Sequence, residues 1–205
     1  MVKLDESTTH RGPGRPRAFD TEAALDGAVR IFSERGFYAT SIGNLAEAMG
    51  VAEGSLYKAF KDKKGVFLAA FDRYRSVRED KVQKAIAGSR NARERLAQVI
   101  AFYVESALGV EGRRGCLVVG SASEVANFDA DVADKVAHAF KSNEARIVNL
   151  IREGQDEGSI ARTIDAAAVG HALFCLVQGV RVVHKVRPSR TDISAVVAAA
   201  LKMID

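Results

Sequence analysis

The sequence contains no tryptophan, only three prolines and only two cysteines in 205 residues. Two of the prolines, Pro13 and Pro16, fall near the start and the third is Pro188, so most of the chain escapes the residue that best interrupts helices. Cys116 and Cys175 are too few for a disulfide framework, which suits a reducing cytosol and predicts a cytoplasmic protein. No segment sustains period-two alternation, although "CLVV" at 116–119 is strand-like and ambiguous. The opening "MVKLDESTTHRGPGRPR" lacks the apolar run of a signal peptide. The most apolar tract, "AAAVGHALFCLVQGVRVVHKV", is interrupted by His171, Gln178 and Arg181, which argues for a buried or interface helix and against a membrane span. There is no nucleophile elbow, phosphate loop or HExxH, so catalysis has no named residue and the expectation is a non-enzyme without a cofactor. His138, His171, Cys116 and Cys175 match no ligand spacing, so neither a metal site nor a redox sensor is assigned to them.

What remains is ordinary for a globular protein: 47% hydrophobic and 27% charged residues, with a net charge of +4. That balance permits a nucleic-acid partner without requiring one. Helical spacing dominates. Asp20 caps a first helix with Leu25, Ala28, Val29 and Phe32 on one face, ended by Gly36. Thr40 is expected to cap a second, with Ile42, Leu45, Ala46 and Met49 inward and Gly50 as its break. A short helix over about 53–60 follows, and Asp62 opens a long one with Phe67, Ala70, Phe71, Tyr74 and Val77 on one side. Further helices are expected over 91–108, 116–126, from Asp129 to Gly154 or Gly158, and over about 165–185 and 191–204. Gly109, Gly112 and Gly115 read as a turn-rich connection.

The stretch "TSIGNLAEAMGVAEGSLYKAF", residues 40–60, carries the functional argument. A small residue, a glycine at the turn and two apolar residues in the angle are what two helices need to cross steeply. Any helical hairpin could share them. Here they leave Glu53, Ser55, Tyr57 and Lys58 outward, while Gly54 removes a side chain where a phosphate backbone would approach. Lys63 and Lys64 sit at the start of the long helix, the positive end of its dipole, so an anion belongs near them. A DNA phosphate is the expected one.

At this point the segment from Phe19 to Tyr74 resembles the N-terminal domain of the TetR/AcrR family of bacterial transcriptional regulators, through "ERGFYATS", "LAEAMGV" and "GSLYKAFKDK". The resemblance implies an all-helical homodimer: a three-helix helix-turn-helix domain, joined by a long helix to a larger helical domain with a small-molecule pocket. It also implies a repressor whose ligand lowers its affinity for a palindromic, double-stranded operator. By position, Thr40 looks like the residue that caps the second helix and touches phosphate. Ser55 and Tyr57 match recurrent phosphate contacts, Lys63 matches the lysine opening the long helix, and Lys58 stands where a groove-facing histidine is frequent. Two departures stand out: Ala52 replaces a Ser or Thr cap, and Glu53 replaces a basic residue or proline.

Ahead of this unit, "RGPGRPR" places Arg11, Arg15 and Arg17 in an acid-free run. It reads equally as a minor-groove arm and as a solvated basic tail. The expected organisation is an arm over 1–18, a DNA-binding domain over 19–75 and a ligand-binding and dimerisation domain over 76–205. The last two helices either form a two-fold interface or complete the monomer core. Phe102, Tyr103, Phe140, Asn143, His171, Phe174 and Gln178 are the candidate pocket residues, and the few charges in their stripes favour an apolar or aromatic effector. Two rivals stay open: a helical enzyme, and an interaction module that has lost DNA binding.

Overall fold

The computed structural model describes residues 20–187 and 192–205; the arginines of the arm lie outside them. Among the described residues there is no strand. Helix α1 (Thr21–Arg35) begins where the Asp20 carboxylate accepts the N–H groups of Glu22 and Ala23. Helix α2 (Ile42–Met49) is capped by Ser41 rather than Thr40: Ser41 and Asn44 satisfy each other's backbone N–H groups. Thr40 is buried, and its hydroxyl donates to the Gly36 carbonyl at 2.6 Å. Helix α2 stops at Gly50, whose φ of 67° is left-handed and suits glycine. Helix α3 (Glu53–Phe60) follows after two residues, and α4 (Lys63–Ile86) starts on an Asp62 carboxylate that accepts the Gly65 N–H.

The second half contains α5 (Ala92–Glu105), α6 (Gly109–Arg114), α7 (Leu117–Glu124), α8 (Ala130–Glu157), α9 (Ala166–Val186) and α10 (Ile193–Leu201). The three-glycine connection is therefore partly helical. Gly112 serves contact rather than turning, since a Cβ there would meet the Ala107 carbonyl oxygen at 1.9 Å. "CLVV" opens α7 as helix, with Leu117 and Val118 buried, and Gly158 ends α8. Helix α9 is long and apolar enough to cross a membrane by length and composition. In the fold it packs against α5, α6 and α8 and buries Arg181 and His184.

Two cores organise the molecule. The first gathers Phe32, Leu45, Leu56, Phe67 and Phe71 from the first four helices, and it also takes in Leu117, Val118, Val132 and Val136 from α7 and α8. The second joins α5, α8, α9 and α10 through Leu96, Ile100, Ile147, Ile151, Leu173 and Val177. Helix α10 buries Ala200 in this core and packs Val196, Val197 and Leu201 half-buried against it. Burying a side chain of this size contributes about 1.5–3 kcal/mol.

Candidate functional site

Helices α2 and α3 cross over the Gly50–Ala52 turn, wedged by Leu56, the one residue α3 fully buries. Helix α1 sets the level of α2 by close approach: a Cβ on Gly27 would lie 2.1 Å from the Ala48 carbonyl oxygen. Held this way, α3 turns Glu53, Gly54, Tyr57 and Lys58 to solvent, with Ser55 half-buried beside them. Tyr57 is 52% exposed among the described residues. Among the described residues nothing stands over Gly54, where a Cβ would find no atom within 4 Å. Glu53 leans toward the first turn of α2, its carboxylate 3.3 Å from where a Cβ on Gly43 would sit. The start of α3 has no side-chain cap at Ala52.

The two lysines at the head of α4 find their negative partners inside the molecule. Lys63 donates to the carbonyls of Phe37 and Thr40 at 3.0 and 3.1 Å and lies 4.4 Å from the Phe37 ring centroid. Lys64 pairs with Asp129 and Asp131, each at 2.8 Å, at the N-terminus of α8. Both expectations of a surrounding DNA strand were built on helix-dipole logic that is local. It could not register carbonyls and carboxylates arriving from 23 to 67 residues away in sequence.

A second site lies where α4, α5, α7, α8 and α9 meet: a cavity of about 230 Å³. Four of the anticipated pocket residues, Phe102, Tyr103, Asn143 and Gln178, line it. The other three do not. Phe140 and Phe174 pack edge-to-face on each other at 5.7 Å, and His171 is exposed against Glu144 at 2.9 Å. The wall also carries Arg75, Arg78, Arg146 and Arg181, with Glu79 as its carboxylate. This corrects the picture of an uncharged cavity. Arg75 and Arg78 lie on the polar side of α4, which the periodicity assigns to solvent but the fold turns onto the cavity.

The electrostatics are uneven. Arg146 and Glu79 form a bidentate pair, and that hydrogen bonding holds the Glu79 carboxyl below its usual pKa. Arg78 and Arg181 both donate to the Ser106 hydroxyl, the former at 3.0 Å. Arg181 also lies 2.8 Å from the Cys116 sulfur, to which the Tyr74 hydroxyl donates at 3.1 Å. Burial works against a Cys116 thiolate, yet Arg181, Arg78 and the Tyr74 hydroxyl hold the thiol below its ordinary pKa. Burial pushes the Tyr103 hydroxyl up.

The two sites are joined by α7. Cys116 stands at its N-cap in the cavity wall. At its other end Glu124 accepts the backbone N–H groups of Phe37 and Tyr38, in the turn between α1 and α2.

Comparison with known proteins bears on both halves. The description "Bacterial regulatory proteins, tetR family" matches residues 24–70, and "Tetracyclin repressor-like, C-terminal domain" matches 92–200. The transcriptional repressor ComR of Escherichia coli is 26% identical over 192 residues, 93% of this chain and 91% of ComR. A cysteine mutant of the regulator CifR, complexed with 26bp double-strand operator DNA, superposes with a TM-score of 0.72 at 28% identity, over 93% of this chain and 98% of that one. The regulatory protein TetR from Rhodobacter sphaeroides has the same fold, with a TM-score of 0.79 at 19% identity over 92% and 100% of the two chains.

Proposed function

The chain belongs to the TetR family of bacterial transcriptional regulators, and from there we propose that it is a homodimeric repressor released from a palindromic operator by a small molecule. It is a regulator rather than an enzyme. The observation that carries the reading is the uncovered outer face of α3, where Tyr57 and Lys58 project beside a bare Gly54. A hydroxyl, an ammonium and an open approach to the backbone suit phosphate contact on a duplex. Glu53 and Lys58 would face the groove and Ser55 and Tyr57 would meet phosphates; Thr40 and Lys63 act from below by fixing the turn between α1 and α2. Arg15 and Arg17 add an arm toward the minor groove. The working division is 19–75 for DNA and 76–205 for ligand and dimer, in the cytoplasm.

Dimerisation falls to α9, which leaves Val182, Val183 and Val186 exposed at 52, 57 and 82%. Such valines in a row on one helix favour a self-complementary contact. Two α3 helices one DNA turn apart, about 34 Å, would then read a two-fold site. A ligand in the cavity that prefers another placement of α4 and α7 would alter that separation.

Genomic fragments retained by the purified protein at two salt concentrations test this directly. A palindromic site with steep salt dependence is expected, and Lys58→Ala, which removes one ammonium from each protomer, should weaken it across sequences and lower the salt slope by about 2. Retention indifferent to sequence, or unchanged by Lys58→Ala and Tyr57→Ala together, would overturn the reading.

A further inference from the structure

A guanidinium removed from water costs several kcal/mol unless a negative partner meets it. In this cavity the charges do not close. Glu79 satisfies Arg146, and among the described residues neither Arg78 nor Arg181 has a carboxylate partner. Arg181 is only 8% exposed, and among the described residues its Nε is buried without a hydrogen-bond partner, as is that of Arg146. At the edge of the cavity the two guanidiniums, neither paired with a carboxylate, converge on one neutral oxygen, that of Ser106 behind the lining, which brings two like charges together. A Cys116 thiolate could balance one of them and would leave the other. The aromatic lining lies against the guanidiniums themselves, with Arg78 4.7 Å from the Phe102 ring centroid and Arg181 5.1 Å from that of Tyr103, contacts that offset part of the charge without neutralising it; Val82 and Val118 complete the apolar part of the wall.

We propose that this cavity is a carboxylate-binding site, in which Arg78 and Arg181 receive the head group of a small organic acid whose apolar body packs on Phe102 and Val118. The guanidinium fork matches a carboxylate with two parallel hydrogen bonds, a geometry that an amide or alcohol cannot reproduce with charge. The cavity of about 230 Å³ sets the size: a ring or a short chain rather than a long acyl tail. A bound carboxylate would draw the two guanidiniums off Ser106 and loosen the Arg181 contact to Cys116 at the head of α7. The site rests on the proposed ligand-responsive reading and gives it a chemical class.

The test uses the full chain and three sodium carboxylates of growing apolar body, acetate, benzoate and phenylacetate, against their neutral amides at matched ionic strength. Thermal unfolding and operator binding are read in parallel. At a concentration about a hundred-fold over Kd, benzoate or phenylacetate should raise the midpoint by about 5–10 °C, with no shift from the amides. Arg181→Met should fold at least as well without ligand, because it removes an unbalanced buried charge, and bind the acid at least about ten-fold more weakly. Equal response to acid and amide, no response to any acid, or a shift that survives Arg181→Met would overturn the proposal. Binding of the acid without release from the operator would instead refute ligand control and leave the site standing. Release by an amide alone would do the reverse.

Discussion

The Glu124 carboxylate accepts the backbone N–H of Phe37 at 2.9 Å and that of Tyr38 at 3.3 Å, tying the end of α7 to the turn before α2. Around this clasp, Phe128 packs edge-on to Phe37 and stacks on Tyr38, and the Tyr38 hydroxyl donates to the Asn127 carbonyl. Glu124→Ala should strand the part-buried Phe37 N–H, while water takes up the exposed Tyr38 N–H, and cost about 1 kcal/mol or somewhat more. For a chain of this size the melting midpoint should fall by about 2–4 °C per kcal/mol, while Glu124→Gln, which keeps an acceptor, should lose less. Calorimetry of the two variants checks the order.

Gly27 is a second lever on the same region. With the Ala48 carbonyl oxygen 2.1 Å from its would-be Cβ, Gly27→Ala forces α1 and α2 apart. Overpacking of this kind costs about 1–3 kcal/mol. Because backbone and not a flexible side chain is in the way, operator affinity should drop along with stability. An Ala substitution at Gly54, in open space, should leave stability nearly unchanged apart from a modest gain in helix propensity.

Ala52 offers the opposite sign. It holds the extended geometry of an N-cap (φ −71°, ψ 147°) with no side chain to accept from α3. Ala52→Ser should stabilise the protein by about 1 kcal/mol, read as a higher denaturant midpoint at unchanged slope. A fall in that midpoint would mean that the free N–H groups of α3 already have another partner.

The Lys64 pair makes a pH prediction. Hydrogen bonding from Lys64 lowers the Asp129 pKa in the folded protein. A depressed carboxyl contributes stability that is full above its unfolded pKa, about 3.9, and is lost as pH falls through the lower folded value. Lys64 is shifted up by the same contacts, so its share is complete at neutral pH and disappears only in strong base. Lys64→Met should therefore lower the melting midpoint slightly at pH 7, and by less at pH 2. A difference that persists unchanged at pH 2 would show that the loss is one of packing.

Local features were readable from sequence where the physics is local. Asp20, Asp62 and Gly50 mark helix ends because a side-chain oxygen or a left-handed backbone acts within four residues. The cap on α2 shifted from Thr40 to Ser41 by one residue, since two adjacent hydroxyls satisfy the same pattern and only the fold decides which is buried. The cavity was half legible. Phe102, Tyr103, Asn143 and Gln178 stood out by type, whereas Arg75, Arg78 and Arg146 look like ordinary solvated arginines on amphipathic helices. Arg181 was the available signal: an arginine within an apolar tract, noticed there only as an obstacle to membrane crossing. The partners of Lys63 and Lys64 were invisible for the same reason, because contacts across tens of residues leave no periodicity.

The first core has a consequence for anyone who would exchange parts between regulators. Because Leu117, Val118, Val132, Val136 and Phe128 pack with Phe32, Phe67 and Phe71, the DNA-reading head is not a bead that can be snipped off along α4. A hybrid sensor spliced within α4 would set one parent's head on the other parent's α7 and α8, with mismatched volumes at every contact. Moving the loop and helix starts over 116–136 together with the head would carry the whole joint across. The transplantable unit is thus discontinuous in the gene, two segments read as one piece in space.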